Sequence, residues 1–235
     1  MKVAIMQPYL FPYIGYWQLI NAVNKFVILD DVNYIMRGYI NRNNILLNGK
    51  VHKFTVPIKQ ASQNKLIMET KLSFDQKEKG KFLTTIHSAY KKAPYYKEVD
   101  LILRDIICYE EDDLTNYIYH SLKKITQYLG IETEIVFSSK ITKDNTLKAQ
   151  ERIIEICKKL GADTYVNPSG GRRLYQQERF QQEGIQLYFL DSKIHEIVYN
   201  QGMDGFVGSL SVIDIMMFND VKKIKEFLKE YELNG

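Results

Sequence analysis

The chain opens on a short apolar run, residues 2–6, which breaks at Gln7 and leads into a segment holding Pro8 and Pro12. A run of that length, bounded by turn-forming residues, predicts a buried strand. From residue 13 to 24 the apolar positions Ile14, Trp17, Leu19, Ile20 and Val23 fall on one broad helical face. A second apolar run at 26–29 ends at Asp30-Asp31. Strand, loop, helix, strand in about thirty residues is the βαβ unit of a parallel sheet.

The pattern then changes. Residues 44–47 and 51–57 flank Asn48-Gly49, a pair that tolerates the positive φ values of a type I′ turn, so a β-hairpin is expected. Residues 59–64 are polar and read as loop. Helical periodicity follows over 75–92, 95–108 and 112–129, with Asp112 placed to cap the last helix and Gly130 to stop it. Alternation of strand and helix resumes afterwards. Strands are expected at 134–137, 163–166 and 186–190, and helices at 146–160, 175–182, 212–218 and 221–231, with a Gly-rich loop at 167–173. No internal repeat or low-complexity linker is present. The expected fold is α/β: a mostly parallel, Rossmann-like sheet flanked by helices, with a helical lobe in the middle of the chain and a β-hairpin insertion. Residues 1–74 form the first half of the α/β domain including the hairpin, 75–130 the helical lobe, and 131–235 the second half.

Composition narrows the function classes. Hydrophobic residues make up 45% and charged residues 26%, the balance of a folded globular chain. The net charge is +4 with Lys and Glu interspersed. A clustered basic stripe is missing, which makes nucleic acid the least expected partner. The mild basic excess suits an anionic small molecule such as a nucleotide sugar. Cys108 and Cys157 each sit in an apolar helical context and read as two buried reduced thiols, not as a disulfide or zinc framework. The first residues enter a strand without an apolar leader core, and no run approaches the roughly 18 apolar residues of a membrane span. A cytoplasmic protein without a membrane span is expected. The 17 tyrosines suit sugar handling as well as core packing.

Ligands of parallel sheets sit outside the carboxyl ends of the strands, which directs attention to residues 7–12 and 30–33. Gln7, Tyr9 and Tyr13 are candidate donors to a developing oxyanion, with Tyr16 beside them. Asp30 and Asp31 face opposite ways if the strand alternation continues, so one of them is a candidate general base or ribose ligand. Asn33, Arg42 and Asn43 are binding candidates, Arg42 through its forked donors to phosphate or carboxylate. Asn167, Ser169, Gly170, Gly171 and Arg172 form a turn after a strand and before a helix, where backbone amides can meet an anion. That turn lacks the phosphate-loop lysine spacing and the dinucleotide fingerprint. A cleft that joins the amino-terminal turn to this glycine–arginine turn at one rim of the sheet is the geometric expectation. Ser211 is a good N-cap and Asp214 stands at the capping-box distance from it. Of His52, His87, His120 and His195, no pair has metal-ligand spacing, so no metal site is expected. His195, in a turn after a strand, is the best placed acid/base candidate.

The runs MQPYLFPYIGYWQLI, FVILDDV, NRN, TYVNPSGG and GSLSVIDIMMFN together resemble the WbqC-like family, and the likeness spans most of the chain. The resemblance implies a place in O-antigen, lipopolysaccharide or related surface-polysaccharide biosynthesis. It implies transfer of glycine or a related acyl group to an amino sugar on a nucleotide carrier, and makes the Gly208–Asp214 stretch a candidate for closing the cleft. The donor would be an acyl-carrier thioester, with a carrier protein as partner, or an acid activated by ATP. A second likeness is to nucleotidylyltransferases and pantothenate synthetases, whose His-x-Gly-His motif would fall on Tyr13-Ile14-Gly15-Tyr16. There Gly15 would let a nucleotide approach the helix start, but both histidines are tyrosines, which carry no positive charge. An adenylate-forming or nucleotidyl-transfer ligase is therefore one alternative, and a non-catalytic sugar-nucleotide-binding protein another.

Overall fold

The computed structural model describes residues 1–235. Six strands form one sheet in the order β5-β2-β1-β6-β7-β8. They are β1 (Lys2–Met6), β2 (Lys25–Ile28), β5 (Glu134–Phe137), β6 (Thr164–Pro168), β7 (Gln186–Ser192) and β8 (Tyr231–Asn234). All neighbours run parallel except β7 and β8. The short apolar run at residues 2–6 is explained by burial on both faces, as parallel strands require. Ala4, Phe26 and Ile28 face one layer, while Val3, Ile5 and Val27 face the other, the alternation of pleated strands.

The first layer holds α1 (Ile14–Asn21), which links β1 to β2, together with α7 (Val212–Phe218) and α8 (Val221–Phe227). The second holds α5 (Ala149–Lys159) and α6 (Gln177–Gln182), which bring Ile153, Ile154, Cys157 and Phe180 onto the sheet. The middle helices are α2 (Gln76–Tyr90), α3 (Tyr96–Cys108) and α4 (Leu114–Leu129). Their apolar faces join the core of α1 and the hairpin: the Phe82 ring lies 6.2 Å from Phe11 and 5.1 Å from Phe54. The hairpin itself, β3 (Arg42–Leu47) and β4 (Lys50–Thr55), turns at Asn48 and Gly49 with φ 51° and 71°.

Four expectations need correction. Asp113, not Asp112, caps α4, accepting from the Asn116 amide, while Gly130 ends the helix at φ 63° as expected. The terminal helix stops at Phe227, and residues 231–234 instead add β8 antiparallel to β7; an amphipathic stretch of that length fits either a helix or an edge strand. Cys157 is buried, its thiol pushed up to about 12 by desolvation, but Cys108 is exposed at the last turn of α3. The Asp214 carboxylate does not complete a capping box, as described below. No helix is long and apolar enough to cross a membrane.

Candidate functional site

The chain leaves β1 towards β2 on one side, and later enters β6 on the other side of β1. The order of strands therefore reverses between β1 and β6, and connections diverge there to opposite faces. Such a switch point opens a crevice at the carboxyl ends of its two strands. A hollow of about 400 Å³ lies there, walled by Gln7, Tyr9 and Tyr13 after β1, by Asn167 near the end of β6, and by Gly171 and Tyr175 after it. Gly15, Tyr16 and Gly170 also reach it. A larger hollow, about 470 Å³, lies between the hairpin turn and the end of α2, away from the strand ends; the switch-point hollow has the stronger claim because the topology itself creates it.

The loop after β1 is held by its own backbone. Phe11 adopts φ 47°, a left-handed conformation that costs a non-glycine residue roughly 1 kcal/mol or more. It persists because the Phe11 carbonyl accepts from Asn43 Nδ2 and Ser211 Oγ, both at 2.8 Å. The next carbonyl, Pro12, accepts from the Val212 amide at 3.0 Å and from Trp17 Nε1 at 3.0 Å. Asn43 and Ser211 thus act on the loop, one from the hairpin and one from the N-cap of α7. Tyr16 is buried and its hydroxyl donates to the Gln7 carbonyl at 2.9 Å. Tyr9 stacks on it at 5.5 Å. The Tyr13 ring lies across Gly15, where a Cβ would meet ring atoms at 2.5 Å. The glycine therefore makes room for Tyr13, not for the nucleotide approach that the His-x-Gly-His likeness suggested. Burial raises the hydroxyl pKa of both Tyr9 and Tyr13, so at neutral pH each is a protonated donor.

The second wall is equally constrained. The Asn167 side chain is buried, accepts from the Tyr165 hydroxyl at 2.9 Å and donates to the Pro168 carbonyl at 2.9 Å. It lies directly on Gly171, where a Cβ would come within 2.1 Å of Nδ2. That contact is the physical reason for glycine at this position. The run from Ser169 to Leu174 is a 3-10 helix, not an open loop. Arg172 turns away from the hollow, with its guanidinium 4.6 Å above the Phe189 ring and 3.4 Å from Asp191. Ser169 and Asn234, the latter donating at 2.6 Å, hold the Asp191 carboxyl below its usual range.

The charged candidates at the end of β2 point elsewhere. Asp30 accepts from the Ser139 amide at 2.9 Å and hydroxyl at 2.6 Å; burial raises its pKa against those bonds. Asp31 lies 2.6 Å from Lys143 Nζ and 2.8 Å from Arg152. Burial pushes its pKa up, but the Lys143 ammonium and the Arg152 guanidinium beside it outweigh burial and hold it low. Asn33 is exposed and bridges to Leu66. Arg42 donates to the Gly38 carbonyl at 2.7 Å. The Asp214 carboxylate is fully buried and accepts from Tyr90, Tyr199 and Gln201 at 2.7–2.8 Å. Burial raises its pKa despite those three donors. The Ser211 amide donates to the Asn44 carbonyl instead, which is why the capping-box spacing finds no capping box. His195 is exposed, with only Glu196 at 3.7 Å.

The structure therefore gathers Gln7, Tyr9, Tyr13, Tyr16, Asn167, Gly170 and Gly171 at one hollow. Asn43 and Ser211 support it, and Asp30, Asp31, Asn33, Arg42, Asp214 and His195 lie outside its lining. Tyr175, Leu174 and Ile153 line it too and were missed by sequence reasoning. The first aromatic beyond the Gly-rich run was the available clue for Tyr175; for Ile153, on the far-layer helix α5, no local signal exists.

The sequence pattern of the WbqC-like protein family matches residues 7–226. A relative from Mycobacterium tuberculosis, named Uncharacterized protein Rv1507c, is 28% identical over 234 residues, covering 97% of each chain. No solved structure matches.

Proposed function

The chain belongs to the WbqC-like protein family, and on that footing we propose that it is a transferase of surface-polysaccharide biosynthesis that forms an amide on a nucleotide-linked amino sugar. The observation that carries this reading is the switch-point hollow between Gln7 and Gly171, lined by tyrosines and neutral amides. Flat tyrosine faces suit a sugar or base ring. The diphosphate would lie along the backbone amides of the Ser169–Leu174 turn.

In the reaction the acceptor amine attacks the acyl carbonyl, a C–N bond forms, and the bond from carbonyl carbon to the leaving group breaks. The donor is an acyl-carrier thioester or an acid activated by ATP. Protonated Tyr13 and the Gln7 carboxamide are the groups suited to stabilise the oxyanion. Asp30 and Asp31 are occupied by Ser139 and by Lys143 with Arg152, so the amine proton leaves to the departing group or to water at the open mouth. A ligase reading is less well supported, because Tyr13 covers Gly15 and Tyr16 is tied to the Gln7 carbonyl.

A panel of nucleotide sugars and ATP, scored by thermal shift, tests the assignment, followed by mass spectrometry for a new amide with glycine and candidate donors. Stabilisation by an amino-sugar nucleotide, weakened about tenfold in affinity by Gln7→Ala, is expected. Stabilisation by ATP alone with release of diphosphate would replace the transferase by the ligase. Tight sugar-nucleotide binding without any turnover would leave a binding protein.

A further inference from the structure

A second, smaller hollow of about 220 Å³ shares Tyr9 and Tyr13 with the first. Its remaining lining is Pro12, Tyr39, Asn43 and Ser209. Three tyrosine side chains thus converge on a space large enough for only a small group. The Tyr9 and Tyr39 rings stand 6.3 Å apart with planes at 50°, an open wedge and not a closed stack. Neither Lys, Arg, His, Asp nor Glu lines the space. Aromatic ring faces are electronegative, and a small cation held among several of them is attracted without any carboxylate.

The oxygen-bearing part of the lining is held in place at a conformational cost. Ser209 adopts φ 59°, a region that non-glycine residues occupy only when their surroundings impose it. The imposed contacts are present two residues on: the Ser211 amide donates to Asn44 at 2.8 Å, and its hydroxyl to Phe11 at 2.8 Å. Asn43 is buried, and its own Nδ2 donates to the same Phe11 carbonyl. Both residues are therefore fixed relative to the loop that carries Tyr9 and Tyr13.

We propose that this second hollow is a site for a small organic ammonium group, caged by Tyr9, Tyr13 and Tyr39 with Ser209 and Asn43 at its polar edge. The proposal rests on the transferase reading for its role: sharing Tyr9 and Tyr13 with the nucleotide-sugar hollow, it holds one of the two reacting partners before transfer. That ammonium belongs to an aminoacyl donor or to the acceptor sugar. An acceptor's ammonium is held only before reaction, since that amine must lose a proton before it attacks, whereas a donor's ammonium stays charged throughout.

Calorimetric titration of the full chain with glycinamide and with glucosamine, against acetamide and N-acetylglucosamine as uncharged controls, tests it. Either amine should bind while its control does not. Tyr39→Ala should weaken that binding about fivefold, and Tyr39→Phe, which keeps the ring face, should change it less than about twofold. Tyr39 is 53% exposed, so both variants should melt like the parent. A preference for glycinamide assigns the donor and one for glucosamine the acceptor. Equal binding of the controls, or no dependence on the Tyr39 ring, overturns the ammonium site. The nucleotide-sugar thermal shift, run on the same proteins, separates the two readings. A shift in the parent and in Tyr39→Ala without amine binding sinks the second hollow alone; amine binding without any nucleotide-sugar shift sinks the transferase reading alone.

Discussion

The carboxyl ends of β1 and β2 lie side by side on one rim of the sheet, yet they use polar residues in opposite ways. After β2 come two adjacent carboxylates, and both are consumed internally: Asp30 by Ser139, Asp31 by Lys143 and Arg152. After β1 comes a single neutral amide, Gln7, facing an open hollow with tyrosines around it. The lesson is that formal charge at a strand end is a poor guide to chemistry. A carboxylate taken out of water must find partners or give up its charge, and those partners close the site. A neutral amide or a phenol can remain unengaged at far lower cost.

The sharpest way to break that contrast is to remove one partner at the charged end. Lys143→Ala leaves Asp31 beside Arg152 alone in a buried position and should cost about 3–5 kcal/mol in urea unfolding. Ligand affinity per folded molecule should hardly change. If Lys143→Ala is as stable as the parent, the β2 end is not a structural ion cluster.

The same cluster has a definite pH signature. Asp31 has a folded pKa below its ordinary value, about 3.9. Its contribution is therefore present above that value and is lost as pH falls through the folded pKa. The stability gap between the parent and Asp31→Asn should be about 3 kcal/mol at neutral pH and should shrink as pH drops below about 4. Asp30 and Asp214 have raised pKa values and act with the opposite sign: their ionisation costs stability as pH rises through those values. A gap that widens in acid would reverse the assignment for Asp31.

At the neutral end the corresponding change is Gly171→Ala. The new methyl would displace the Asn167 side chain from its place on the glycine, at a cost of about 1–3 kcal/mol. Unlike Lys143→Ala, it should also weaken nucleotide-sugar binding, since it reshapes one wall of the hollow. The smallest effect is expected at His195, whose side chain is 78% exposed. His195→Ala should alter melting by less than about 0.5 kcal/mol and leave turnover intact; a large loss of turnover would put the chemistry elsewhere than the hollow.

How far the site could be read from the chain differs residue by residue. Gln7, Tyr13 and Gly171 follow short strands of evident apolar character, and the parallel-sheet rule places strand ends on one rim. Asp31 looked equally placed, but its partners are more than a hundred residues away in sequence. Asp214 shows the same limit in another form. Its spacing from Ser211 fits a capping box, whereas its actual donors come from α2 and from residues 199 and 201. Tyr39 lies in a segment with no periodic pattern, so nothing local marked it; Ser209 sits in the GSLSVIDIMMFN run, but nothing in that run shows that it meets Tyr9 and Tyr13.

The amino-acid sequence alone determined the elements whose cause is local: strands from unbroken apolar runs, the hairpin from Asn48-Gly49, and the helix end at Gly130. Local causes act through backbone sterics and side-chain period, which are readable one segment at a time. Only the tertiary structure decided which polar groups stay available, because that depends on the partner each meets across the fold. It also decided the strand order that sets β1 beside β6, since strand pairing is a long-range choice among apolar faces that look alike in sequence. The candidate hollow exists where those two decisions coincide.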